Sequence, residues 1–241
     1  MKKVVLLATI AFFFSQSSKA QRNYITSQGE TIFSWSNYTG DSDIGNTRTR
    51  FSIFPNVEYA YNLDGAGALG MYFGISHRNI GFNWKDSTRH KRRAMSLGVP
   101  LVFKIGDLEN DNFFFFGGEA EILYHYKKKD WDPDGNKTKS SEWLSSEVNM
   151  LQTSAMLGYC TNRVMFKFKY YFNDFFNTEY VNSIGAMPYA NTQSNIFYFS
   201  LAVRTDMDGN DDEDEEYEEE GDGEGFDFGY NLLLHDMYRD I

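Results

Sequence analysis

One acidic loop has the spacing of residues that bind metal ions. Asp130, Asp132 and Asp134 alternate along the chain, and a glycine follows. An Asp-x-Asp-x-Asp-Gly run in a tight loop directs several hard oxygens to one point, as Ca²⁺ requires. The twelfth position, where a bidentate Glu is expected, is Ser141. The sequence thus predicts either a weak Ca²⁺ site or a solvated polar loop. The candidate metal ligands are Asp130, Asp132, Asp134 and Asn136.

A second constellation is a pair of carboxylates. Glu119 and Glu121 are two residues apart and share one face of a predicted strand. Such a pair is either catalytic or part of a network of buried ion pairs, since an unpaired buried charge is costly. No nucleophile motif accompanies it, and the histidines form no signature with a serine. They are His77, His90, His125 and His235. We predict no catalytic residues, no cofactor and no enzymatic activity.

These residues lie on about eight predicted β-strands. The predicted ranges are 30–38, 51–61, 67–82, 92–106, 113–127, 144–159, 163–173 and 194–204. Several ranges alternate apolar and polar residues with a period of two. Most of them reach 9 to 16 residues, longer than the 5 or 6 typical of globular proteins and long enough for tilted membrane strands.

The alternation predicts which face of each strand meets lipid. We expect the apolar face to point outward, because lipid accepts Phe and Leu but not mid-depth charges. The residues expected outside are Phe166, Phe168, Phe197, Phe199, Leu97 and Leu101. The residues expected inside are Glu58, Lys104, Glu119, Glu121, His125, Lys167, Lys169 and Arg204. A soluble barrel or sandwich with the opposite facing shows the same pattern.

The gaps between strands alternate in length. The ranges 39–50, 83–91, 128–143 and 174–193 are long and polar, whereas 62–66, 107–112 and 160–162 are short. Outer-membrane barrels have short periplasmic turns and longer external loops. In this threading the four tryptophans fall near the outer strand ends, where aromatic rings favour the membrane boundary. They are Trp35, Trp84, Trp131 and Trp143.

The first 20 residues predict an export signal. Lys2 and Lys3 precede an apolar run at 4–14, and small residues precede Gln21. This run is too short to span a bilayer, so cleavage before Gln21 is expected. The single cysteine, Cys160, excludes a disulfide framework.

Three short motifs resemble those of a known family. The run 97–104, Leu-Gly-Val-Pro-Leu-Val-Phe-Lys, looks like the Pro-Leu-x-x-Lys strand of small Bacteroidetes outer-membrane β-barrels with a porin-like domain. The runs 117–121 and 170–173 resemble later strands of that family, and the Ala20-Gln21 junction is typical of it. The resemblance covers roughly residues 21–204. It implies a fold and a location, but no shared chemistry. Pro100, in mid-strand, is expected at a β-bulge.

Acidity is concentrated near the C-terminus. The net charge is −11, yet residues 206–225 hold 13 Asp and Glu and no Lys or Arg. The remainder is near neutral and carries no basic run that indicates nucleic-acid binding. We predict an acidic disordered segment at 206–225, because such a composition cannot form a core. The apolar stretch 226–241 can be a helix, a strand or a frayed end.

Together these features predict an all-β fold, an antiparallel up-and-down transmembrane β-barrel. The predicted domains are a signal peptide at 1–20, a barrel at 21–205 and the two C-terminal segments. We predict a non-enzymatic protein of the bacterial outer membrane with a structural or interaction role. Its expected partners are membrane lipid and a protein bound through the external loops or the periplasmic tail. The alternatives are an accessory component of a secretion or uptake complex, a lipid-modifying enzyme and a soluble ligand-binding barrel.

Overall fold

The computed structural model describes residues 22–39, 46–65, 68–86 and 88–207. The predicted signal peptide, the acidic segment beyond residue 207 and the stretch 226–241 lie outside these ranges. The strands are β1 (Arg22–Ser36), β2 (Asn46–Arg48), β3 (Arg50–Ser52), β4 (Val57–Asp64), β5 (Leu69–Lys85), β6 (Arg89–Asp107), β7 (Asn112–Trp131), β8 (Lys137–Trp143), β9 (Leu151–Thr161), β10 (Val164–Tyr171) and β11 (Ile196–Asp206). The described ranges contain no helix that is long and apolar enough to cross a membrane.

Eight of these strands close into a ring. The antiparallel order is β1-β4-β5-β6-β7-β9-β10-β11, and β11 pairs back onto β1 from Thr26↔Asp206 to Ser36↔Ile196. Closure leaves the ring without a free edge, which is how strands satisfy their backbone groups inside a bilayer. Three short strands lie outside the ring: β2 pairs with β5, β3 with β1, and β8 with β7.

The facing of the side chains is inverted relative to a soluble protein. Leu97 is 51% exposed and Phe168 is 43% exposed, whereas Lys167 and Lys169 are fully buried. Apolar residues therefore form the outer surface and charges fill the interior, as in outer-membrane barrels. The predicted fold, an eight-stranded transmembrane barrel, is confirmed. A soluble ligand-binding barrel would need an apolar interior, and this interior is charged.

The two ends of the barrel differ. At one end, which we call the turn end, short connections at 65–68, 108–111 and 162–163 join the strands. The other end, the extended end, carries β2, β3, β8 and the outer parts of β5, β6 and β7. The predicted long loop at 83–91 was wrong: β5 continues to Lys85 and β6 begins at Arg89. Their inward side chains, such as Phe82, pack in an aromatic cluster, so the strands continue although their outward residues are polar.

Strand boundaries needed further correction. β1 begins at Arg22, eight residues before the predicted start, and the predicted strand 51–61 is divided by a turn at Phe54 and Pro55. The prediction that Pro100 lies at a β-bulge was wrong. Instead the β5–β6 pairing passes from Phe73↔Leu101 to Ser76↔Gly98 and omits two pairs, those of Pro100 and Val99. Proline has no N–H to donate, so the ladder is interrupted there while the register is unchanged.

Candidate functional site

The middle of the barrel interior holds a network of ion pairs centred on Arg78. Its Nε donates to Glu30 Oε2 at 2.9 Å, and its two terminal nitrogens donate to Glu58 and Glu119. All of these side chains are at least 96% buried. They come from β1, β4, β5 and β7, so the network ties four strands of the ring together. Ion pairs of this kind persist only when each charge is matched by close partners.

Lys169 extends the network to the predicted carboxylate pair. Its Nζ lies 2.6 Å from Glu119 Oε2 and also bonds Glu121. Hydroxyls complete the shell of Glu121: Tyr171 donates to it at 2.7 Å and Ser96 at 2.5 Å. Every carboxylate oxygen of the pair therefore accepts at least one hydrogen bond. This geometry places Glu119 and Glu121 in a network of buried ion pairs, which is one of the two roles predicted for them.

Lys167 is the least satisfied member of this layer. Its Nζ lies 3.6 Å from Glu30 and 3.7 Å from Glu58, and it has no hydrogen-bond partner. The network contains the cations Arg78, Lys167 and Lys169, and the carboxylates Glu30, Glu58, Glu119 and Glu121. Three cations face four carboxylates, so one negative charge is in excess when all the groups are ionised.

A second polar layer lies nearer the turn end. Lys104 Nζ is 2.5 Å from Asp64 and 2.9 Å from Asn62 Oδ1. Arg204 donates to Asp111 at 2.8 Å and to the Tyr24 hydroxyl at 2.9 Å. The predicted interior positions of Lys104 and Arg204 agree with this arrangement. A cavity lined in part by Thr26, Tyr72 and Arg204 has a volume of only about 10 Å³.

At the extended end an aromatic cluster closes the interior. Phe176 stacks on Tyr189 with ring centroids 4.2 Å apart, and Phe82 and Trp84 pack beside them. Trp84 is 6% exposed and faces inward, so its predicted place at the membrane boundary was wrong. The described side chains thus occupy the middle and both ends of the interior, consistent with eight strands enclosing only enough room for side chains.

His125 does not face the interior, and that prediction was wrong. The β6–β7 register shifts between Met95↔His125 and Ser96↔Leu123, which leaves Tyr124 as an extra residue. Because faces alternate along a strand, one extra residue moves every later side chain to the opposite face. His125 therefore points outward and stacks on Trp143, with ring centroids 4.5 Å apart.

The predicted metal ligands do not converge in the structure. Asp130 accepts hydrogen bonds from His90 at 2.6 Å and from Arg92 at 2.7 Å. Asp132 instead closes its own turn, accepting from the backbone N–H of Asn136 at 2.7 Å and from its side-chain amide at 3.0 Å. Within the described ranges, no group of three or more His, Cys, Asp or Glu side chains is arranged to hold a metal. Ca²⁺ binding by Asp130, Asp132, Asp134 and Asn136 stays a prediction.

His90 forms a contact that sequence spacing did not reveal. Its Nδ1 faces Asp130, while its Nε2 lies 3.1 Å from Asp86 and 3.0 Å from the Thr88 hydroxyl. The hydrogen bond with Asp130 raises the pKa of His90, and the charges of both aspartates add to the rise. Two carboxylates favour a protonated ring that donates from both nitrogens. Such a ring links the turn between β5 and β6 to Asp130 on β7.

Comparisons with known proteins add only distant similarities. No protein-family model matches the sequence, and no curated protein is similar to it. One similar solved structure is that of Ail, the attachment invasion locus protein of Yersinia pestis, in complex with the heparin analogue sucrose octasulfate. Its sequence is 12% identical to that of this chain. The match covers 75% of this chain and 99% of that chain, with a TM-score of 0.38. Neisserial surface protein A is 9% identical over 75% of this chain and 96% of that chain, with a TM-score of 0.37. Similarity at this level supports no functional inference. The resemblance to the Bacteroidetes family stays a prediction.

Proposed function

We propose that this protein is a closed, non-conducting barrel of the outer membrane, whose role is structural or interactive at its external end. The observation that supports this most directly is the filled interior: among the described residues, ion pairs occupy the middle and buried aromatic rings occupy the extended end. A barrel without a continuous path through its interior does not transport solutes, so we place the function at its exposed ends. Partners bound through the loops or the acidic tail remain part of the proposal.

We place the extended end outside the cell. Both ends of the ring, Arg22 and Asp206, lie at the turn end, and short turns are characteristic of the periplasmic side. The extended end carries the additional strands, which rise beyond the apolar outer band. This orientation offers a folded sheet at the cell surface as the interaction platform.

Cysteine labelling on intact cells tests the orientation. The sole native cysteine, Cys160, is fully buried, so it does not compete. K139C, on β8, should react with a membrane-impermeant maleimide. The matched variant N110C, in an exposed turn of the turn end, should react only after the outer membrane is permeabilised. Labelling in the reverse pattern would overturn the orientation.

Planar-bilayer recording tests the absence of conduction. Reconstituted full-length protein should produce no steady conductance steps, while a general porin recorded in the same bilayers gives them. Stable steps of large conductance would contradict the proposal, because they require a path through the ion-pair layer.

A second candidate, an outer-membrane hydrolase, takes its support from Thr88, His90 and Asp130, which are arranged in hydrogen-bond sequence. The carboxylate of Asp86 competes for the same hydrogen bonds, since it accepts from the Thr88 hydroxyl and lies 3.1 Å from His90 Nε2. A T88A variant tests the candidate. Hydrolysis of lipid or peptide esters by the wild type that disappears in T88A would establish the enzyme.

A further inference from the structure

The outward face of the extended sheet is a cationic surface. Strand register places three cross-strand rows there: Arg93↔Lys127, then Arg48↔Asn83↔Lys91↔Lys129↔Lys139, then Lys85↔Arg89↔Trp131↔Lys137. Neighbouring strands are about 4.8 Å apart and successive rows about 7 Å apart. We call this surface the basic face. Its nine cations are Arg48, Lys85, Arg89, Lys91, Arg93, Lys127, Lys129, Lys137 and Lys139.

Among the residues that the structure describes, the cations of the basic face have no acidic partners. No described carboxylate lies within ion-pair distance of any of the nine, and no described Asp or Glu occupies a position in the three rows. Inward-facing cations on the same strands, in contrast, are paired with carboxylates. Arg92 is paired with Asp130 at 2.7 Å, and Lys128 is paired with Glu147. The carboxylates of the described ranges thus pair with inward cations, and none of them pairs with a cation of the outward face.

Neighbouring cations of this surface repel one another. Burial lowers the pKa of Lys91, and the charges of Arg50, Arg93 and Lys129 lower it further. Like charges opposite each other destabilise a sheet. An anionic ligand removes that penalty.

Protection of sheet edges does not explain the charge. Lysines on free edge strands discourage aggregation, and β2 and β8 each pair with one strand only. Six of the nine cations, however, lie on β5, β6 and β7, which are paired on both sides for much of their length. They are Lys85, Arg89, Lys91, Arg93, Lys127 and Lys129.

The height of the basic face matches that of lipid headgroups. Along β6 the outward residues are apolar from Ile105 to Met95, and Arg93 follows directly. Ten residue steps of about 3.4 Å, tilted by about 40°, give a band about 26 Å tall, the thickness expected for the apolar belt of an outer-membrane barrel. Aromatic rings stand at its upper boundary, where Tyr124 contacts Trp143 with centroids 5.6 Å apart. The first row of cations therefore begins where hydrocarbon ends.

We propose that the basic face binds the phosphate groups of anionic glycolipid in the leaflet that surrounds the extended end. Phosphate oxygens accept hydrogen bonds from several Lys and Arg side chains at once. The lower rows meet phosphates at the membrane surface. Trp131 stands in the upper row between Arg89 and Lys137, with cation-to-centroid distances of 4.8 and 5.5 Å. The inference depends on the proposed external placement of this end.

Full-length protein in phosphatidylcholine nanodiscs tests this inference. The probe is lipid A, a phosphorylated glycolipid, and the comparison is the same glycolipid after dephosphorylation. Native mass spectrometry counts the retained molecules, and the salt dependence is recorded in parallel. We expect retention of the phosphorylated form only, weakening as salt rises. Equal retention of both forms would overturn the proposal.

A pair of matched variants locates the contact. K91Q/K129Q removes two directly opposed cations of the middle row, while R22Q/R163Q removes two cations at the turn end. Each cation near an anionic surface contributes about 1 kcal/mol, so K91Q/K129Q should bind lipid A about 30-fold more weakly. R22Q/R163Q should bind as the wild type does. Equal effects of the two variants would refute the assignment.

A soluble polyanion distinguishes the source of the phosphate. Inositol hexakisphosphate is added to protein in nanodiscs without lipid A. If it binds as tightly as lipid A does, the ligand is a soluble anion and the proposal is overturned. Binding of lipid A alone supports it. Neither result alters conductance or maleimide labelling, so failure here is distinguishable from failure of the proposed function.

Discussion

Replacing Arg78 by methionine tests whether buried ion pairs hold the barrel together. Arg78 is fully buried and bonds Glu30, Glu58 and Glu119. Methionine fills much of the same volume without charge. The network already has one negative charge in excess, and the substitution raises the excess to two. Removing one partner of a buried ion pair costs about 3–5 kcal/mol, so we expect R78M to lose about that much free energy of unfolding.

Urea unfolding in phosphatidylcholine vesicles, followed by tryptophan fluorescence, measures this change. R163M is the matched control, because Arg163 is exposed at the turn end and its loss should change stability by less than about 0.5 kcal/mol. The double variant R78M/E58Q removes a carboxylate as well and should recover part of the loss. If R78M unfolds within about 1 kcal/mol of the wild type, the interior charges are not desolvated and the reasoning fails.

Three further outcomes are expected. The hydrogen bond with Asp130 raises the pKa of His90. The stability that protonated His90 gives to the β5–β6 hairpin should therefore be present below pH about 6.5 and be lost as the pH rises through the raised pKa. Hydrogen exchange of the hairpin amides should show this pH dependence in the wild type but not in H90Q. G74A should destabilise the barrel by about 1–3 kcal/mol in urea, since a Cβ there meets a backbone carbonyl of the neighbouring strand, whereas G29A, with open space, should not. Deleting residues 208–241 should leave the heat resistance of the barrel on gels unchanged, because the last ladder pair ends at residue 206; failure to insert would show that the barrel needs those residues.

The last strand extends two residues beyond its predicted end at Arg204, to Asp206. Thr205 pairs with Ser27, and Asp206 pairs with Thr26 and contacts Arg204 at 3.3 Å. Sequence alternation ends before these residues, so nothing local marks them as part of the strand. Their place is fixed by the partner strand, which continues beyond them.

Period-two alternation determined which residues share a face in most strands, and the length of the strands together with the alternating gap lengths pointed to a membrane barrel. Lys167 and Lys169 alternate with Phe166 and Phe168, and only one assignment keeps charges out of lipid. A strand with one wholly apolar face cannot slip by one residue without exposing every charge, so its facing follows from its sequence. The interior positions of Glu119 and Glu121 were predictable for the same reason.

Only the tertiary structure decided where alternation breaks and which strands meet. One extra residue at Tyr124 turned His125 outward, and packing under the aromatic cluster drew Trp84 inward. The basic face arises because register aligns Lys91 with Lys129, which lie 38 residues apart in sequence. Alternation describes one strand at a time. Bulges and cross-strand neighbours depend on the partner strand, so the local sequence does not contain them.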